Sequence, residues 1–308
     1  MSSRLHVREA IAAAADTLAA AGIDSARTDA ELLAAHAAGT DRGRLALLDP
    51  VEPDFFDRFG DAVAIRATRV PLQHIIGTVA FGPVQLQVGP GVFIPRPETE
   101  AMLEWALAQD LPPSPVIVDL CTGSGALAVA LATGIRGATV IAVDDDASAL
   151  DYARRNAAST PAVRVVAADA TEPDLLPELV GSVDLVVANP PYIPCGAVLD
   201  PEVAEHDPHH ALFGGSDGMA VIRPIVRRAA DWLKPGGLLA VEHDDTTSQE
   251  CVEVFLEVPI PGSLRSCPPA PIPGSLRSCP PAPAFTEVTA RRDLTGRPRF
   301  VTARRGAQ

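Results

Sequence analysis

Hydrophobic residues change their spacing along the chain. In the first 70 residues they recur every three or four positions, as at Ile11, Ala14, Ala15 and Leu18, which predicts amphipathic helices. From residue 116 onward, short unbroken apolar runs alternate with helical stretches. Such runs indicate strands buried on both faces, as in a parallel sheet covered by helices. The pattern therefore predicts a small helical domain followed by an α/β domain.

A short segment separates these two parts. After Gly82-Pro83, apolar and polar residues alternate, which predicts a β-hairpin. We therefore expect three regions: an N-terminal helical domain at residues 1–70, a β-hairpin linker at 71–95 and an α/β domain at 96–308.

A proline-rich tandem repeat interrupts the α/β domain at residues 259–282, where the twelve-residue sequence PIPGSLRSCPPA occurs twice without change. Its prolines exclude helix and central strand and favour an extended loop. A proline-rich docking site is one interpretation. An in-frame duplication tolerated in a surface loop explains the repeat better, and two copies are too few for a solenoid.

Four apolar runs, at residues 116–120, 139–143, 163–167 and 183–188, each end at residues with distinctive chemistry. In chain order these are Cys121-Thr122-Gly123-Ser124-Gly125, Asp144, Asp169-Ala170 and Asn189-Pro190-Pro191-Tyr192. The carboxyl ends of parallel strands joined by right-handed crossovers face one crevice. We therefore expect these residues to share one ligand site.

The glycine turn and Asp144 indicate a nucleotide-like cofactor. Glycines let a ligand approach free backbone N–H groups at a helix N-terminus, and Asp144 lies about 20 residues further on, where ribose-binding carboxylates occur, although Asp145 and Asp146 are adjacent. The loop also satisfies the dinucleotide pattern of a nicotinamide dehydrogenase. That alternative leaves Asp119 unexplained and lacks a convincing acid/base pair. S-adenosylmethionine fits better, with its ribose at Asp144, its adenine at Asp169 and Ala170, and its methionine end beneath Asp119.

The Asn-Pro-Pro-Tyr tetrapeptide offers hydrogen-bond acceptors with few competing donors. Proline lacks an N–H group, so the carbonyls around Pro190 point outward from a stiff backbone, while Asn189 adds a carbonyl and Tyr192 a flat ring. The simpler interpretation of the tetrapeptide is a turn that ends a strand and has no further function. In its context, the tetrapeptide is better explained as a site for a planar NH2 group. Two acceptors on its hydrogens return electron density to nitrogen, which then attacks a methyl donor.

These segments together resemble the release-factor glutamine methyltransferase family, also called HemK or PrmC. The resemblance runs from about residue 10 to about residue 304, with the repeat as an interruption. Six segments match in order: PLQHIIG at 71–77, GVFIPRPETE at 91–100, DLCTGSG at 119–125, NPPYIP at 189–194, LFGGSDG at 212–218 and RDLTGR at 292–297. The IPRPETE part distinguishes this family from other methylases with the same tetrapeptide.

The resemblance implies a Rossmann-like, seven-stranded S-adenosylmethionine-dependent methyltransferase domain with a small N-terminal helical domain. Its last strands, at 285–291 and 298–303, would form an antiparallel hairpin. The implied activity is N5-methylation of the glutamine in the Gly-Gly-Gln motif of peptide chain release factors 1 and 2. The helical domain would grip the release factor.

Matching positions also imply roles for individual residues. Asn189 and the Pro190 carbonyl would hold the glutamine amide, Tyr192 would pack over it, and Pro191 would stiffen the turn. The residues implied to bind the cofactor are Cys121, Thr122, Gly123, Ser124, Gly125, Asp144, Asp169, Ala170 and Asn189. Arg96 and Glu98 are expected near the pocket.

Two departures from the family pattern affect these expectations. Cys121 stands where the family usually has glycine, and it fits without loss of cofactor binding if its φ is ordinary. Many relatives have a glycine-containing turn where this chain has Glu242-His243-Asp244-Asp245, so the roles of these four residues stay open. The alternatives are a DNA adenine N6-methylase and a catalytically inactive release-factor-binding module.

Composition narrows the remaining possibilities. A net charge of −14 argues against a nucleic-acid partner held mainly through phosphates. The apolar stretches are too short for a membrane span, the first residues lack a signal-peptide pattern, and five cysteines without a Cys-x-x-Cys pair suggest reduced thiols. Pro208 breaks the cluster at residues 206–210, which argues against a metal site there. We therefore expect a cytoplasmic monomer without a metal.

Overall fold

The computed structural model describes residues 3–48, 50–260 and 283–307. Its helices are α1 (Ser3–Ala20), α2 (Ala26–Ala37), α3 (Phe55–Ala67), α4 (Leu72–Ile76), α5 (Glu100–Leu107), α6 (Ala126–Gly134), α7 (Ala147–Ala157), α8 (Pro201–His206), α9 (Ile222–Trp232) and α10 (Ser248–Glu257). Its strands are β1 (Thr78–Phe81), β2 (Val84–Gln87), β3 (Val116–Leu120), β4 (Thr139–Asp144), β5 (Val163–Ala167), β6 (Val183–Ala188), β7 (Leu233–Glu242), β8 (Phe285–Arg292) and β9 (Pro298–Arg305). In the part of the chain that the structure describes, no helix combines the length and hydropathy needed to cross a bilayer.

The chain divides into two compact units. The helical unit comprises Met1–Val79, Val88–Ile94 and Leu199–Asp207, and the α/β unit comprises Ala80–Gln87, Pro95–Val198 and Pro208–Gln308. Helix α8 therefore belongs by its contacts to the helical unit, although in the chain it follows the Asn-Pro-Pro-Tyr segment. Because α8 has only 6 residues, its hydrophobic pattern does not predict that it belongs to the helical unit. The domain boundaries given above stay a prediction.

The helical unit forms around apolar side chains that recur at helical spacing. On α1 the buried positions are three or four residues apart, which places them on one face of the helix. They share a core with residues of α2 and α3; the central members are Val7, Ile11, Ala14, Leu18, Leu33, Phe55 and Phe59. The stability of the unit follows from the burial of these side chains.

A buried guanidinium joins α8 to the other helices of this unit. Nε of Arg66 lies 2.8 Å from Oδ2 of Asp29, and its Nη2 lies 2.9 Å from Oε1 of Glu202. Arg69 adds a weaker contact to Glu202 at 3.3 Å. A buried charge is tolerated only when it is paired, so these two carboxylates compensate the charge of Arg66.

The α/β unit contains a seven-stranded sheet in the order β5-β4-β3-β6-β7-β9-β8. The first five strands are parallel, and β9 runs antiparallel to both β7 and β8. This arrangement confirms the predicted Rossmann-like fold. Every residue of β6 is buried, as expected for a strand with both faces covered. The strand order reverses at β3, which opens a crevice at the carboxyl ends of β3 and β6.

The hairpin of β8 and β9 forms one edge of the sheet, and its strands are slightly longer than the sequence predicts. Pro259 and Pro283 form an isolated antiparallel bridge, and the N–H of Ala284 donates to the carbonyl of Val258 at 2.7 Å. These contacts bring together the two sides of the tandem repeat. Beyond Pro259 and Ile260, the repeat lies outside the described residues, and so does the interpretation of it as a tolerated duplication.

Candidate active site

The register of the central strands places the predicted site residues at one level. Leu120 pairs with Val143 and Ala188, and Ala188 pairs with Val241. The next residue on each strand therefore emerges at the same edge of the sheet; these residues are Cys121, Asp144, Asn189 and Glu242. Three of them belong to the predicted site. Glu242 does not, and its position follows only from the pairing of β6 with β7.

Asp119 lies beneath the glycine loop and is fully buried. Its Oδ2 accepts hydrogen bonds from the Thr122 hydroxyl at 2.5 Å and the Ala128 N–H at 3.1 Å. Its Oδ1 is buried and has no hydrogen-bond partner among the described residues. Burial raises the pKa of Asp119 to about 7, although the hydrogen bonds from Thr122 and Ala128 oppose the shift. The carboxyl group thus retains an unused acceptor next to the loop.

Asp144 and the glycine loop are joined directly. Oδ2 of Asp144 accepts from the Gly123 N–H at 2.8 Å, and Oδ1 accepts from the Asp146 N–H at 3.0 Å. Burial raises the pKa of Asp144, while these two hydrogen bonds oppose the shift. Asp146 instead caps α7, because its Oδ1 accepts from the Ala149 N–H at 2.8 Å. Asp144 is therefore the acid that faces the loop, which the sequence alone left uncertain.

The glycine loop leaves space for a ligand. A Cβ atom at Gly123 would meet no heavy atom within 4 Å, and its φ is +57°. Gly125 has φ +83° and lies against the backbone of Ala153, where an added Cβ would be 3.4 Å from Cα. Asn156 holds the loop from below, since its Nδ2 donates to the Ser124 carbonyl at 2.8 Å. The loop is thus fixed on one side and open on the other.

Cys121 was expected to fit the loop if its φ were ordinary, and this condition is not met. Its φ is +57°, in the left-handed region that favours glycine. A residue with a Cβ atom in this region costs roughly 1–2 kcal/mol. Burial and the nearby negative charge of Asp144 raise the pKa of the thiol well above its usual range. Cys121 is therefore a neutral, half-buried thiol on a strained turn.

Asp169 and Ala170 follow β5 at the edge of the crevice. Oδ1 of Asp169 accepts from the N–H and the hydroxyl of Thr171, both at 2.7 Å, which fixes the turn. Ala170 is buried. The negative charge of Asp169 makes a small contribution to the raised pKa of Cys121. The structure records no direct hydrogen bond between Asp169 and the loop within the described segments.

Asn189 is oriented by a residue that the sequence analysis missed. Its Nδ2 donates to the hydroxyl of Thr99 at 3.2 Å. Thr99 is buried at the start of α5, in the IPRPETE segment. Because the amide NH2 group faces Thr99, Oδ1 of Asn189 is left as the acceptor. Within the described residues, no backbone N–H group donates to the carbonyl of Pro190, so the next residue of the chain also keeps a free acceptor.

The Asn-Pro-Pro-Tyr backbone is held from behind by the LFGGSDG segment. The Ile193 N–H donates to the Leu212 carbonyl at 2.8 Å, and the Gly214 N–H donates back to Ile193 at 2.9 Å. A Cβ atom at Gly214 would lie 2.5 Å from the Pro191 carbonyl oxygen, and one at Gly218 would lie 2.3 Å from that of Tyr192. Only glycine permits this approach. The segment thus fixes the position of the acceptors.

Tyr192 contacts a buried acid at the end of β7. Its hydroxyl donates to Oε1 of Glu242 at 2.9 Å. Burial raises the pKa of Glu242 to about 7, although Thr99, Tyr192 and the charge of Arg299 oppose the shift. Burial and the charge of Glu242 also raise the pKa of Tyr192, which keeps its phenol protonated as a donor. The only sequence signal for Glu242 was its place in an unusual turn after a strand.

Arg299 supplies the positive charge near this acid. It lies on β9, where its carbonyl accepts from the His243 N–H at 3.0 Å. Although burial opposes the shift, Tyr192 and Glu242 raise the pKa of Arg299. Its Nε lies 3.4 Å from Oδ2 of Asp293, in the RDLTGR turn. The last matching segment of the chain therefore reaches the active site through Arg299.

The histidines after α8 show no metal-binding arrangement. No group of three or more potential ligands that could hold a metal ion occurs in the part of the chain described here. His210 instead lies near the cap of α7, with Nε2 3.6 Å from Oδ2 of Asp146.

The residues at the strand ends fit a nucleoside cofactor with a charged amino-acid end. Asp119 offers a buried, unpartnered acceptor oxygen, Gly123 leaves open space, and Oδ2 of Asp144 lies at the loop. Together with the paired acceptors at Asn189 and Pro190, this arrangement and the fold define a Rossmann-like methyltransferase that uses S-adenosylmethionine. Two family models match the chain, the PrmC N-terminal domain at residues 9–77 and the methyltransferase small domain at 97–206.

Comparison with known proteins gives the family. The release factor glutamine methyltransferase of Mycolicibacterium smegmatis is 62% identical over 98% of this chain and 99% of its own length. That of Mycobacterium tuberculosis is 60% identical over 98% of this chain and 92% of its own. The chain belongs to the release factor glutamine methyltransferase family. A further relative, the 4-amino-L-phenylalanine/4-methylamino-L-phenylalanine methyltransferase of Streptomyces pristinaespiralis, is 45% identical over 76% of this chain and 82% of its own.

Proposed function

We propose that the protein transfers a methyl group from S-adenosylmethionine to the side-chain nitrogen, N5, of the glutamine in the Gly-Gly-Gln motif of release factors 1 and 2. The observation that carries this proposal is the orientation of Asn189. Its NH2 group donates to Thr99 at 3.2 Å, which leaves Oδ1 as an acceptor, and no backbone N–H among the described residues donates to the carbonyl of the next residue, Pro190. Two such oxygens match the two hydrogens of a carboxamide NH2 group.

The two acceptors have a chemical as well as a positional effect. The lone pair of a carboxamide nitrogen is delocalised into its carbonyl group, which makes the nitrogen a weak nucleophile. Hydrogen bonds from both N–H groups to Asn189 and Pro190 increase the electron density on nitrogen. S-adenosylmethionine, when bound, supplies the methyl group. Fixing the nitrogen in one orientation lowers the entropic part of the barrier, and the stiff backbone at Pro191 provides this fixation.

Cofactor binding is assigned to the loop and to the acids around it. In this proposal the backbone of the loop holds the methionine end, Asp144 accepts hydrogen bonds from the ribose, and Asp169 and Ala170 border the adenine. Asn189 also borders the cofactor. The full loop consists of Cys121, Thr122, Gly123, Ser124 and Gly125. Support comes from the open space at Gly123 and the unpartnered oxygen of Asp119.

The helical unit is assigned to recognition of the release factor. Among the described residues, its helices α1 to α4 contain no catalytic grouping, and the PrmC N-terminal domain model matches this part of the chain. The activity requires no nucleic acid or membrane, in agreement with the net charge of −14. Because release factors act on ribosomes, the proposal places the enzyme in the cytoplasm. It also takes the enzyme to be a monomer that modifies either release factor.

The test uses the purified chain, a labelled methyl donor and four separate acceptors: release factor 1, release factor 2, duplex DNA and free 4-amino-L-phenylalanine. The expected result is label on the release factors alone, lost when the motif glutamine is replaced by glutamate. Labelling of DNA but not of protein would overturn the substrate assignment. Labelling of the free amino acid alone would place the enzyme with its arylamine-modifying relative. Calorimetric titration with S-adenosylmethionine identifies an inactive binding module, which would show no binding heat.

A further inference from the structure

Among the residues that the structure describes, Glu242 is the one buried acid at the strand ends to which the proposed mechanism gives no role. It is 1% exposed, and the register of β6 with β7 places it level with Asn189. Its Oε1 accepts from the Tyr192 hydroxyl, whereas Oε2 is buried without a hydrogen bond of normal geometry among the described residues. A buried polar atom of this kind is costly unless it has a function or a partner.

Thr99 connects this acid to Asn189. The Thr99 hydroxyl accepts a hydrogen bond from Nδ2 of Asn189, so its own proton is free to point elsewhere. Thr99 is close enough to Glu242 to lower the pKa of its carboxyl group. Oε2 of Glu242 is a buried acceptor to which no donor is assigned among the described residues. A Thr99 proton turned towards this oxygen completes a series with one direction, in which Asn189 donates to Thr99 and Thr99 donates to Glu242.

We propose that Glu242 is a positioning residue that fixes the direction of this series and thereby turns Oδ1 of Asn189 towards the substrate amide. The inference rests on the proposed function and deepens it. An ionised carboxylate only accepts hydrogen bonds, so both Thr99 and Tyr192 must donate to it. With Thr99 fixed as a donor, its oxygen accepts only from the NH2 end of the Asn189 amide. The opposite orientation of that amide would present a donor to the substrate NH2 group.

The charges around Glu242 make its ionisation sensitive to pH near neutrality. Burial raises its pKa to about 7, and Glu98 adds a raising effect. Tyr192, Thr99 and Arg299 lower the pKa, and they face the acid from the segment after β6, the start of α5 and β9. Since the ionised form fixes the series, kcat is expected to rise with pH through this range. Protonation allows Glu242 to donate to Thr99, which removes the constraint on Asn189.

The first test compares Glu242→Gln with Glu253→Gln, an exposed glutamate on α10. Glutamine has the same shape but presents a donor to one of the two hydroxyl groups. The expected result is a kcat lowered about 10-fold or more, with unchanged affinity for S-adenosylmethionine and loss of the rise with pH. Glu253→Gln should behave as wild type. Wild-type kcat and an unchanged pH profile in Glu242→Gln would overturn the proposal.

A double-mutant cycle separates positioning from general damage. Thr99→Val removes the link between Asn189 and Glu242 without changing the volume greatly, so adding Glu242→Gln to it should cost less than Glu242→Gln costs alone. Thr99→Ser keeps the hydroxyl and should retain most of the activity. Additive effects of the two changes, or a Thr99→Ser variant as impaired as Thr99→Val, would contradict the proposed series.

An NMR measurement tests the inference without activity. The chain has two asparagines, Asn156 and Asn189, so 15N-asparagine labelling gives two side-chain NH2 signals. In wild type, the Asn189 signal should shift with pH around neutrality, and this shift should disappear in Glu242→Gln and Thr99→Val. Asn156, which donates to the carbonyls of Gln87 and Ser124, is the internal control. A pH-independent Asn189 signal in wild type would contradict the series.

The same measurement distinguishes the two proposals. If the release factors are not methylated but the pH-dependent shift of Asn189 is present, the proposed function fails and the role of Glu242 stands. If the release factors are methylated and neither the kinetics nor the NMR signal responds to Glu242→Gln, the function stands and the role of Glu242 fails.

Discussion

The two halves of the catalytic crevice are built in different ways. In the cofactor half, at the ends of β3 to β5, two acids are held by groups nearby in sequence, Asp119 by Thr122 and Asp169 by Thr171, while Asp144 meets Gly123 across 21 residues, between the ends of the paired strands β3 and β4. In the amide half, Asn189 meets Thr99 across 90 residues and Tyr192 meets Glu242 across 50. The first half is thus organised by local turns and by the pairing of β3 with β4, and the second by contacts across 50 to 90 residues.

This difference predicts how the two halves respond to mutation. Changes in the cofactor half should alter the affinity for S-adenosylmethionine, because the loop and its acids form a binding surface. Changes in the amide half should alter kcat while cofactor affinity is retained, because that half orients the reacting nitrogen. A mutation in the cofactor half that lowers only kcat, or one in the amide half that weakens cofactor binding, would contradict this division.

The largest effect is expected from Asn189→Ala. The variant loses one of two acceptors and the contact to Thr99, so kcat should fall about 100-fold or more. Calorimetry should still detect S-adenosylmethionine binding. The control is Gln249→Ala on α10, where the side chain makes only an exposed contact to Glu253. A fully active Asn189→Ala would remove the mechanism.

Gly214→Ala tests the rigid support behind the acceptors. The new Cβ atom would lie 2.5 Å from the Pro191 carbonyl oxygen, so the backbone must move. A small misplacement of the acceptors should lower kcat roughly 10- to 100-fold. Gly60→Ala is the matched control, since a Cβ atom there meets nothing within 4 Å. Equal kinetics for the two variants would show that the support is unnecessary.

Tyr192→Phe isolates the hydroxyl from the ring. The ring remains to pack over the amide, but Glu242 loses the donor at 2.9 Å, so kcat should fall on the order of 10-fold. The chain has one other tyrosine, Tyr152, which lies under the guanidinium of Arg155 on α7. Tyr152→Phe should leave steady-state kinetics unchanged. Weaker cofactor binding by Tyr192→Phe would contradict the assignment of Tyr192 to the amide half.

Cys121→Gly should sharpen the comparison by acting on the cofactor half alone. Glycine removes the cost of φ +57° and allows closer approach to the loop, so the Kd for S-adenosylmethionine should decrease by up to about 5-fold. Cys121→Ser retains the Cβ atom and should give no such gain. Weaker binding by Cys121→Gly would mean that the thiol itself contacts the cofactor.

The smallest effect concerns stability and pH. Asp119 and Glu242 both have a pKa of about 7, above their unfolded values. A raised pKa favours folding while the group is protonated, so the ligand-free protein should lose stability as the pH rises from about 4 to about 7. Asp293, with a pKa lowered to about 2, contributes in the opposite direction at lower pH. Glu242→Gln should reduce the loss seen by thermal unfolding, and Glu253→Gln should not.

The sequence predicts the sheet and the cofactor half because both depend on local patterns. Apolar runs identify the strands, and the residues after them form the loop and its acids. The sequence could not predict the left-handed φ of Cys121, since cysteine rarely adopts it. Thr99, Glu242 and Arg299 were also missed as site residues. Their role depends on the register of β6 with β7 and β9, which no short motif encodes.

The central claim is that Oδ1 of Asn189 and the carbonyl oxygen of Pro190 together hold the substrate carboxamide. A crystal structure of the protein with S-adenosylhomocysteine and a Gly-Gly-Gln peptide tests it most directly. The account predicts the glutamine nitrogen within about 3 Å of both oxygens, with its carbonyl pointing away from them. A glutamine side chain bound elsewhere, or one held with its oxygen towards Asn189, would contradict it.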